Sequence, residues 1–334
     1  MSPRIGINGF GRVGRCFYRI ARDRGLDVVA VNDLTATPTL AHLLTYDSTF
    51  GTMATPAIAT EDGTAIDVGD ARFAVTAERD PADLDWGAHG VDIVIEATGR
   101  FRTRDAAAVH LKSGPRKVLI SAPGKEVDAT FVLGVNEDLY EPERHDVISN
   151  ASCTTNCLAP MAKVLHEAFG LASGLMTTIH AYTNDQSLLD APHKDLRRAR
   201  SAATSMIPTT TGAAKAVGLV IPELAGKLSG SAVRVPVEDG SLTDLTALLH
   251  RSVTVEEINE AFAAAANGRL AGYLRYSTAP IVSRDIIGDP ASCVFDAPLT
   301  QAHGALVKIF GWYDNEWGYT SRLVDLAEYV AARF

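Results

Sequence analysis

Short apolar runs alternate with stretches of helical period over the first third of this 334-residue chain. Residues 4–8 (RIGIN) and 28–31 (VVAV) have the length and content of buried strands. Between them a helix is expected from the glycine-rich turn to about Arg24, with Gly25 just past its end as a C-cap. Residues 91–96 (VDIVIE) and 117–121 (KVLIS) are near-continuous apolar runs, as in parallel strands covered on both faces. A helix is expected from about Thr103, and residues 61–64 (EDGT) read as the turn of an inserted hairpin. Such alternation predicts a doubly wound α/β sheet whose ligands bind at the carboxyl edge, where Thr98 and Ser121 fall.

Beyond residue 150 the pattern changes. Leu158, Met161 and Leu165 mark a helix that Ser152 would cap. Longer β-rich segments follow: residues 175–179 lead to His180, and residues 231–235 form a strand with Arg234 near its end. Residues 182–205 lack apolar periodicity, and loops of that length are usually functional or interfacial. Residues 208–215 (PTTTGAAK) read as a hydroxyl-rich turn opening a helix, a natural anion site. Thr254 and Glu257 match a capping box, so those acids are assigned to helix initiation.

With 46% hydrophobic and 21% charged residues the chain reads as a soluble globular enzyme of about two domains. A net charge of −9 argues against a nucleic-acid or anionic-membrane surface. No apolar run approaches the roughly 18 residues of a membrane span, and the first residues do not resemble a signal peptide. Cys16, Cys153, Cys157 and Cys293 show neither zinc-type pairing nor a disulfide framework, so no metal and a reduced, cytoplasmic setting are expected. Cys16, Cys157 and Cys293 read as packed thiols, and His42, His110, His166 and His303 as structural.

Chemistry concentrates at two places. Gly9, Gly11 and Gly14 form G-x-G-x-x-G between a strand and a helix. The first permits a tight turn, the second lets a pyrophosphate approach the backbone, and the third lets helix pack on strand. Asp33 follows at about the 20-residue offset of a carboxylate that binds ribose hydroxyls, and it would repel a 2′-phosphate, favouring NAD over NADP. The second place is Cys153, in the first turn of the helix capped by Ser152, where free N–H groups and the helix dipole would stabilise a thiolate. His180, at a strand end beside a polar stretch, is the candidate base. Alcohol oxidation has no use for a nucleophilic thiol, whereas aldehyde oxidation does, through a thiohemiacetal and a thioester. Two sets of hydroxyl groups and arginines suggest two anions, one carried by the substrate and one attacking the thioester.

Residues 7–15 (INGFGRVGR), 149–160 (SNASCTTNCLAP), 193–200 (HKDLRRAR), 207–217 (IPTTTGAAKAV) and 312–319 (WYDNEWGY) together resemble glyceraldehyde-3-phosphate dehydrogenases of the NAD-dependent phosphorylating type. The likeness spans essentially the whole chain. It implies oxidation and phosphorylation of D-glyceraldehyde 3-phosphate to 1,3-bisphosphoglycerate in glycolysis and gluconeogenesis. It also implies a Rossmann-type NAD domain over residues 1–151, completed by a C-terminal helix at 317–334. An α+β domain with a mostly antiparallel sheet would occupy residues 152–316. Cys153 would be the acylated nucleophile and His180 its base. Arg12, Val13, Asp33, Arg79, Ser121 and Asn315 match NAD positions, as do the three glycines. Thr183, Arg198 and Arg234 match the seat of the substrate's phosphate, and Ser152, Thr154, Thr211 and Gly212 that of inorganic phosphate. The resemblance further implies a homotetramer, with the loop bearing Arg197–Arg200 at subunit contacts and Pro192 helping to exclude a 2′-phosphate.

The chain departs from that family's usual Thr-Pro-Asn-Val-Ser at residues 237–241 (VEDGS), and has Gly124 and Ser231 where alanine and methionine are more usual. A copy insensitive to thiol-directed inhibitors is one reading of these departures. Erythrose-4-phosphate dehydrogenase, which releases a free acid, is the nearest enzymatic alternative. Thr183 and the Thr211–Gly212 pair favour the phosphorylating enzyme. A non-catalytic NAD-binding protein is a further alternative, disfavoured by the intact Cys153 and His180.

Overall fold

A computed structural model describes residues 3–334, in two compact units. The first comprises residues 3–131, 138–151 and 320–334, and the second residues 132–137 and 152–319.

Among the described residues, the first unit builds a nine-stranded sheet. Its strands in chain order are β1 (Arg4–Asn8), β2 (Asp27–Asn32), β3 (Ala57–Ala59), β4 (Ala65–Val68) and β5 (Ala71–Thr76). Then come β6 (Ile93–Glu96), β7 (Lys117–Ile120), β8 (Ala129–Thr130) and β9 (Val147–Ser149). The spatial order is β3-β4-β5-β2-β1-β6-β7-β9-β8. Every pair is parallel except the β3–β4 and β4–β5 hairpins. Helix α1 (Arg12–Asp23) leaves the carboxyl end of β1 and stops where Gly25 turns at φ +74°. Helix α2 (Thr37–Thr45) follows β2, and α3 (Arg104–Ala107), capped by Thr103, is only one turn before the backbone tightens to a 3₁₀ helix.

Beneath the carboxyl edge lies a buried polar network. Trp86 Nε1 donates to His110 Nδ1 at 3.0 Å, so the other ring nitrogen carries the proton and faces Glu96 Oε2 at 3.0 Å. Asn8 Nδ2 donates to the same oxygen at 2.7 Å, and the Thr98 N–H donates to Oε1 at 2.9 Å. A buried carboxylate is tolerated when surrounded by donors in this way, and here it ties β1, β6 and the loop after β6 together.

The second unit's strands are β10 (Leu171–Ala181), β11 (Ile207–Thr210), β12 (Leu228–Val235) and β13 (Ser241–Leu249). They continue with β14 (Leu274–Ser277), β15 (Cys293–Asp296), β16 (Gln301–His303) and β17 (Leu306–Tyr313). Seven run in the order β11-β12-β10-β13-β17-β15-β14, with β16 added to β17. Pairing is antiparallel except for β10–β12 and β14–β15. Helix α4 (Cys153–Phe169) packs on β13, β15 and β17 and beside α5 (Ala213–Val220) and α6 (Val255–Asn267). The last helix, α7 (Trp317–Ala331), has its residues from 320 onward in the first unit.

One local expectation changes. Residues 208–210 are not part of a turn but pair with β12 as an edge strand, leaving only Thr211 and Gly212 as the turn into α5. A run of threonines suits a pleated edge as well as a loop. His180 is the penultimate residue of β10, at the strand end expected for it. No described helix is long and apolar enough to cross a membrane.

Candidate active site

Strand period and helix capping bring the reactive pair together. In β10, Met176, Thr178 and His180 alternate onto the buried face. The chain enters α4 through Ala151, whose φ of +56° is unusual for a residue with a Cβ and is the kind of conformation that collects at functional sites. Ser152 then caps the helix, its Oγ accepting from the Thr155 N–H at 3.0 Å. Cys153 is thereby fixed as the first helical residue, with Sγ 3.4 Å from His180 Nε2.

The imidazole's tautomer follows from its other partner. Nδ1 lies 2.7 Å from the Ala181 carbonyl oxygen, so Nδ1 carries the proton and Nε2 presents a lone pair to the thiol. Burial pushes the Cys153 thiol up to about 11, against the pull of Arg234 and of the Thr154 N–H and hydroxyl. Burial, reinforced by Arg234, drives His180 down to about 3. The N–H groups of the helix end thus lower the thiol as the sequence suggested, but burial outweighs them. Each charge is costly by itself, but moving one proton along the 3.4 Å line creates both charges together and lets each offset the other.

Thr154 Oγ1 also meets Tyr313 Oη at 2.8 Å, and Tyr313 Oη meets Thr178 Oγ1 at 2.8 Å. Tyr313, from β17, thus ties the start of α4 to β10, and its ring sits edge-on to His180 with centroids 6.0 Å apart. It lies within the WYDNEWGY segment, but nothing in the sequence pointed to this contact.

Thr183, Arg198 and Arg234 converge beside the pair. Arg234 Nη1 donates to Thr183 Oγ1 at 2.9 Å and to the Ala181 carbonyl at 3.1 Å. Arg198 donates to Thr209 Oγ1 at 3.0 Å and to Asp185 Oδ2 at 2.5 Å. Asp185 also accepts from the Thr183 hydroxyl, so its carboxylate links the three cationic and hydroxyl groups. Asp185 was not foreseen: a single acid in a loop carries no sequence signal of its partners. Thr155 Oγ1 donates to the Ala213 carbonyl at 3.5 Å, which sets the starts of α4 and α5 side by side and so brings Ser152 and Thr154 toward Thr211 and Gly212. Thr211 Oγ1 accepts from the Ala213 N–H at 3.1 Å, and Gly212 is the N-cap of α5.

In the first unit, Gly9, Gly11, Asp33 and Arg79 line a cavity of about 300 Å³ at the carboxyl edge of the sheet. Gly9 has φ +95°, and a Cβ there would sit 2.7 Å from the Thr98 nitrogen. At Gly14 a Cβ would lie 2.2 Å from the Gly9 carbonyl oxygen, so only glycine lets α1 start this close to β1. Asp33 accepts from the Phe10 N–H at 2.8 Å and the Thr35 N–H at 2.9 Å, holding its carboxylate over the turn. Arg12 and Val13 form the first turn of α1, and Arg12 pairs with Asp47 at 2.6 Å. The cradle, helix end and carboxylate fit a dinucleotide. Ser121 follows β7, its N–H on the Glu96 carbonyl at 3.0 Å, while Asn315 belongs to the second unit, its Oδ1 accepting from Ser241 Oγ at 2.5 Å.

Comparison with known proteins agrees with this chemistry. Residues 3–104 match the NAD-binding domain of glyceraldehyde 3-phosphate dehydrogenase, and residues 152–315 match the C-terminal domain of the same enzyme. Glyceraldehyde-3-phosphate dehydrogenase 1 of Streptomyces avermitilis is 60% identical over 98% of both chains. The enzyme of Geobacillus stearothermophilus is 58% identical over 100% of this chain and 99% of its own. With both domains matched and the identity sustained end to end, this chain belongs to the glyceraldehyde-3-phosphate dehydrogenase family.

Proposed function

We propose that the protein is the NAD-dependent phosphorylating glyceraldehyde-3-phosphate dehydrogenase of glycolysis, with Cys153 as nucleophile and His180 as base. The observation that carries this reading is the 3.4 Å approach of a helix-capped thiol to an imidazole lone pair. His180 Nε2 takes the thiol proton as Sγ bonds to the aldehyde carbon and passes it to the carbonyl oxygen, which becomes the hydroxyl of a thiohemiacetal. The glycine turn, Asp33 and Asn315 would hold NAD, which would supply the hydride acceptor needed to oxidise that carbon to a thioester. His180 withdraws the hydroxyl proton in the same stage. Inorganic phosphate then attacks the thioester carbonyl, the C–S bond breaks, and the acyl phosphate leaves Cys153 as thiolate.

Arg234, Arg198 and Thr183 suit the substrate's phosphate, which would take over the donors Asp185 now engages. Ser152, Thr154, Thr211 and Gly212, at two adjacent helix starts, suit the attacking phosphate. Leu188, Leu189 and Leu196 on the long loop are each more than 70% exposed, which favours their burial in a homotetramer. The absence of any disulfide among the described residues supports a cytoplasmic setting.

The test follows NADH formation from D-glyceraldehyde 3-phosphate with and without inorganic phosphate. Sustained turnover that requires phosphate is expected, with a single burst per site when it is omitted. Sustained turnover without phosphate would instead indicate hydrolysis, as in an erythrose-4-phosphate dehydrogenase.

A further inference from the structure

Residues 238–241, of which 238–240 depart from the family's usual sequence, form a strut against the segment that presents Asn315. Four successive contacts fix it. Glu238 pairs with Arg284. Gly240, at φ +82°, runs so near the chain that a Cβ would lie 2.3 Å from the Ser283 carbonyl oxygen. Ser241 Oγ donates to Asn315 Oδ1 and accepts from the Ala181 N–H at 3.1 Å, next to His180. Between them, the fully buried Asp239 hydrogen-bonds the fully buried Asp314.

Two carboxyls can hydrogen-bond only if one keeps a proton. Three backbone donors converge on Asp314: Gly288 at 2.7 Å on Oδ2, with Glu316 at 2.8 Å and Trp317 at 2.6 Å on Oδ1. Asp314 is thus the ionised partner. Asp239 accepts only the N–H of Gly240, at 2.8 Å on Oδ1, and no N–H points at its buried Oδ2. The proton therefore resides on Asp239.

We propose that Asp239 is a positioning residue for cofactor binding: its carboxyl donates one proton to Asp314 and so holds the turn that carries Asn315. This rests on the assignment of Asn315 to NAD made above. The surrounding charges do not neutralise the pair. Asp314 and Glu316 precede α7, Glu238 is spent on Arg284, Asp285 accepts from the Val282 N–H, and Asp289, beside Gly288, pairs with Arg275 at 2.7 Å. Burial, with Asp314 and Glu316, pushes Asp239 up to about 9. The native form keeps this proton where the unfolded chain has lost it. The contact is therefore intact at neutral pH and is lost as pH rises through about 9, when two adjacent buried anions repel.

The experiment measures KM for NAD, kcat and direct NAD binding of the whole enzyme from about pH 7 to pH 10. In the unaltered protein KM for NAD should rise about fivefold or more over the alkaline limb, as expected for loss of one buried hydrogen bond. Asp239→Asn keeps a donor but cannot ionise; it should match the parent at neutral pH and lack the alkaline rise. Asp239→Leu, which has no donor, should show the weakened binding at every pH. An unchanged alkaline rise in Asp239→Asn, or a flat profile in the parent, overturns the proposal, and neither result requires the leucine variant to fold. Asn315→Ala at neutral pH separates the two layers. Unchanged NAD affinity there removes Asn315 from the cofactor site and the positioning role with it. A loss there, with the alkaline rise persisting in Asp239→Asn, rejects the proton alone.

Discussion

Cys153 Sγ and His180 Nε2 lie 3.4 Å apart, while burial opposes the charged form of each. Each charge is disfavoured alone, and a proton passed between the two groups creates both charges side by side. In His180→Asn the thiol loses its proton acceptor while burial still outweighs Arg234 and Thr154, so alkylation of Cys153 by iodoacetamide is expected only toward alkaline pH. Turnover should fall about 10²- to 10⁴-fold. Alkylation at neutral pH as fast as in the parent would show that the helix end suffices to make the thiolate.

Arg234 touches both the Ala181 carbonyl that orients His180 and the Thr183 hydroxyl. Arg234→Leu should raise KM for D-glyceraldehyde 3-phosphate and cut kcat/KM about a hundredfold, while NAD binding in the absence of substrate is kept. Arg234→Lys should recover little, since the shorter side chain lacks the planar, bidentate donor set of a guanidinium. Initial rates at varied substrate, alongside NAD titration, separate these effects.

Tyr313 Oη is shared by two threonine hydroxyls inside the second unit. Tyr313→Phe leaves both without that partner and should destabilise the protein by about 1–3 kcal/mol. Thermal unfolding would register the change as a lower Tm. An unaltered Tm would mean that the threonines find new partners.

Asp33 holds its carboxylate over the glycine turn through two backbone N–H groups. Asp33→Ser should lower kcat/KM for NAD about tenfold and raise turnover with NADP, because a repelling charge is removed from the 2′ position. Paired assays with the two cofactors decide it, and unchanged preference would shift the source of discrimination to the long loop.

The sequence revealed local features well because their causes are local. Apolar runs gave β1, β2, β6 and β7, the glycine spacing gave the turn into α1, and the polar stretch before Cys153 gave the cap of α4. Residues 208–210 were misjudged as a turn, since pairing with β12 depends on a partner some two dozen residues further along the chain. Asp185, Tyr313 and the Asp239–Asp314 pair escaped notice for the same reason. Each owes its chemistry to side chains distant in sequence, which no spacing rule reports. The VEDG departure could be seen, but not its use.

The placement of α7 has a consequence for how the protein is made. Leu323, Val324, Leu326, Ala327 and Val330 are fully buried, and Asp325 pairs with Arg24, near the other end of the chain. The first unit therefore lacks residues 320–334 until the intervening second unit has been synthesised. At about 5–20 residues per second, its emerging sheet waits roughly 10–30 s for its last helix. During that interval the incomplete unit offers apolar surface to chaperones, whereas nearly all of the second unit has been synthesised before that helix emerges.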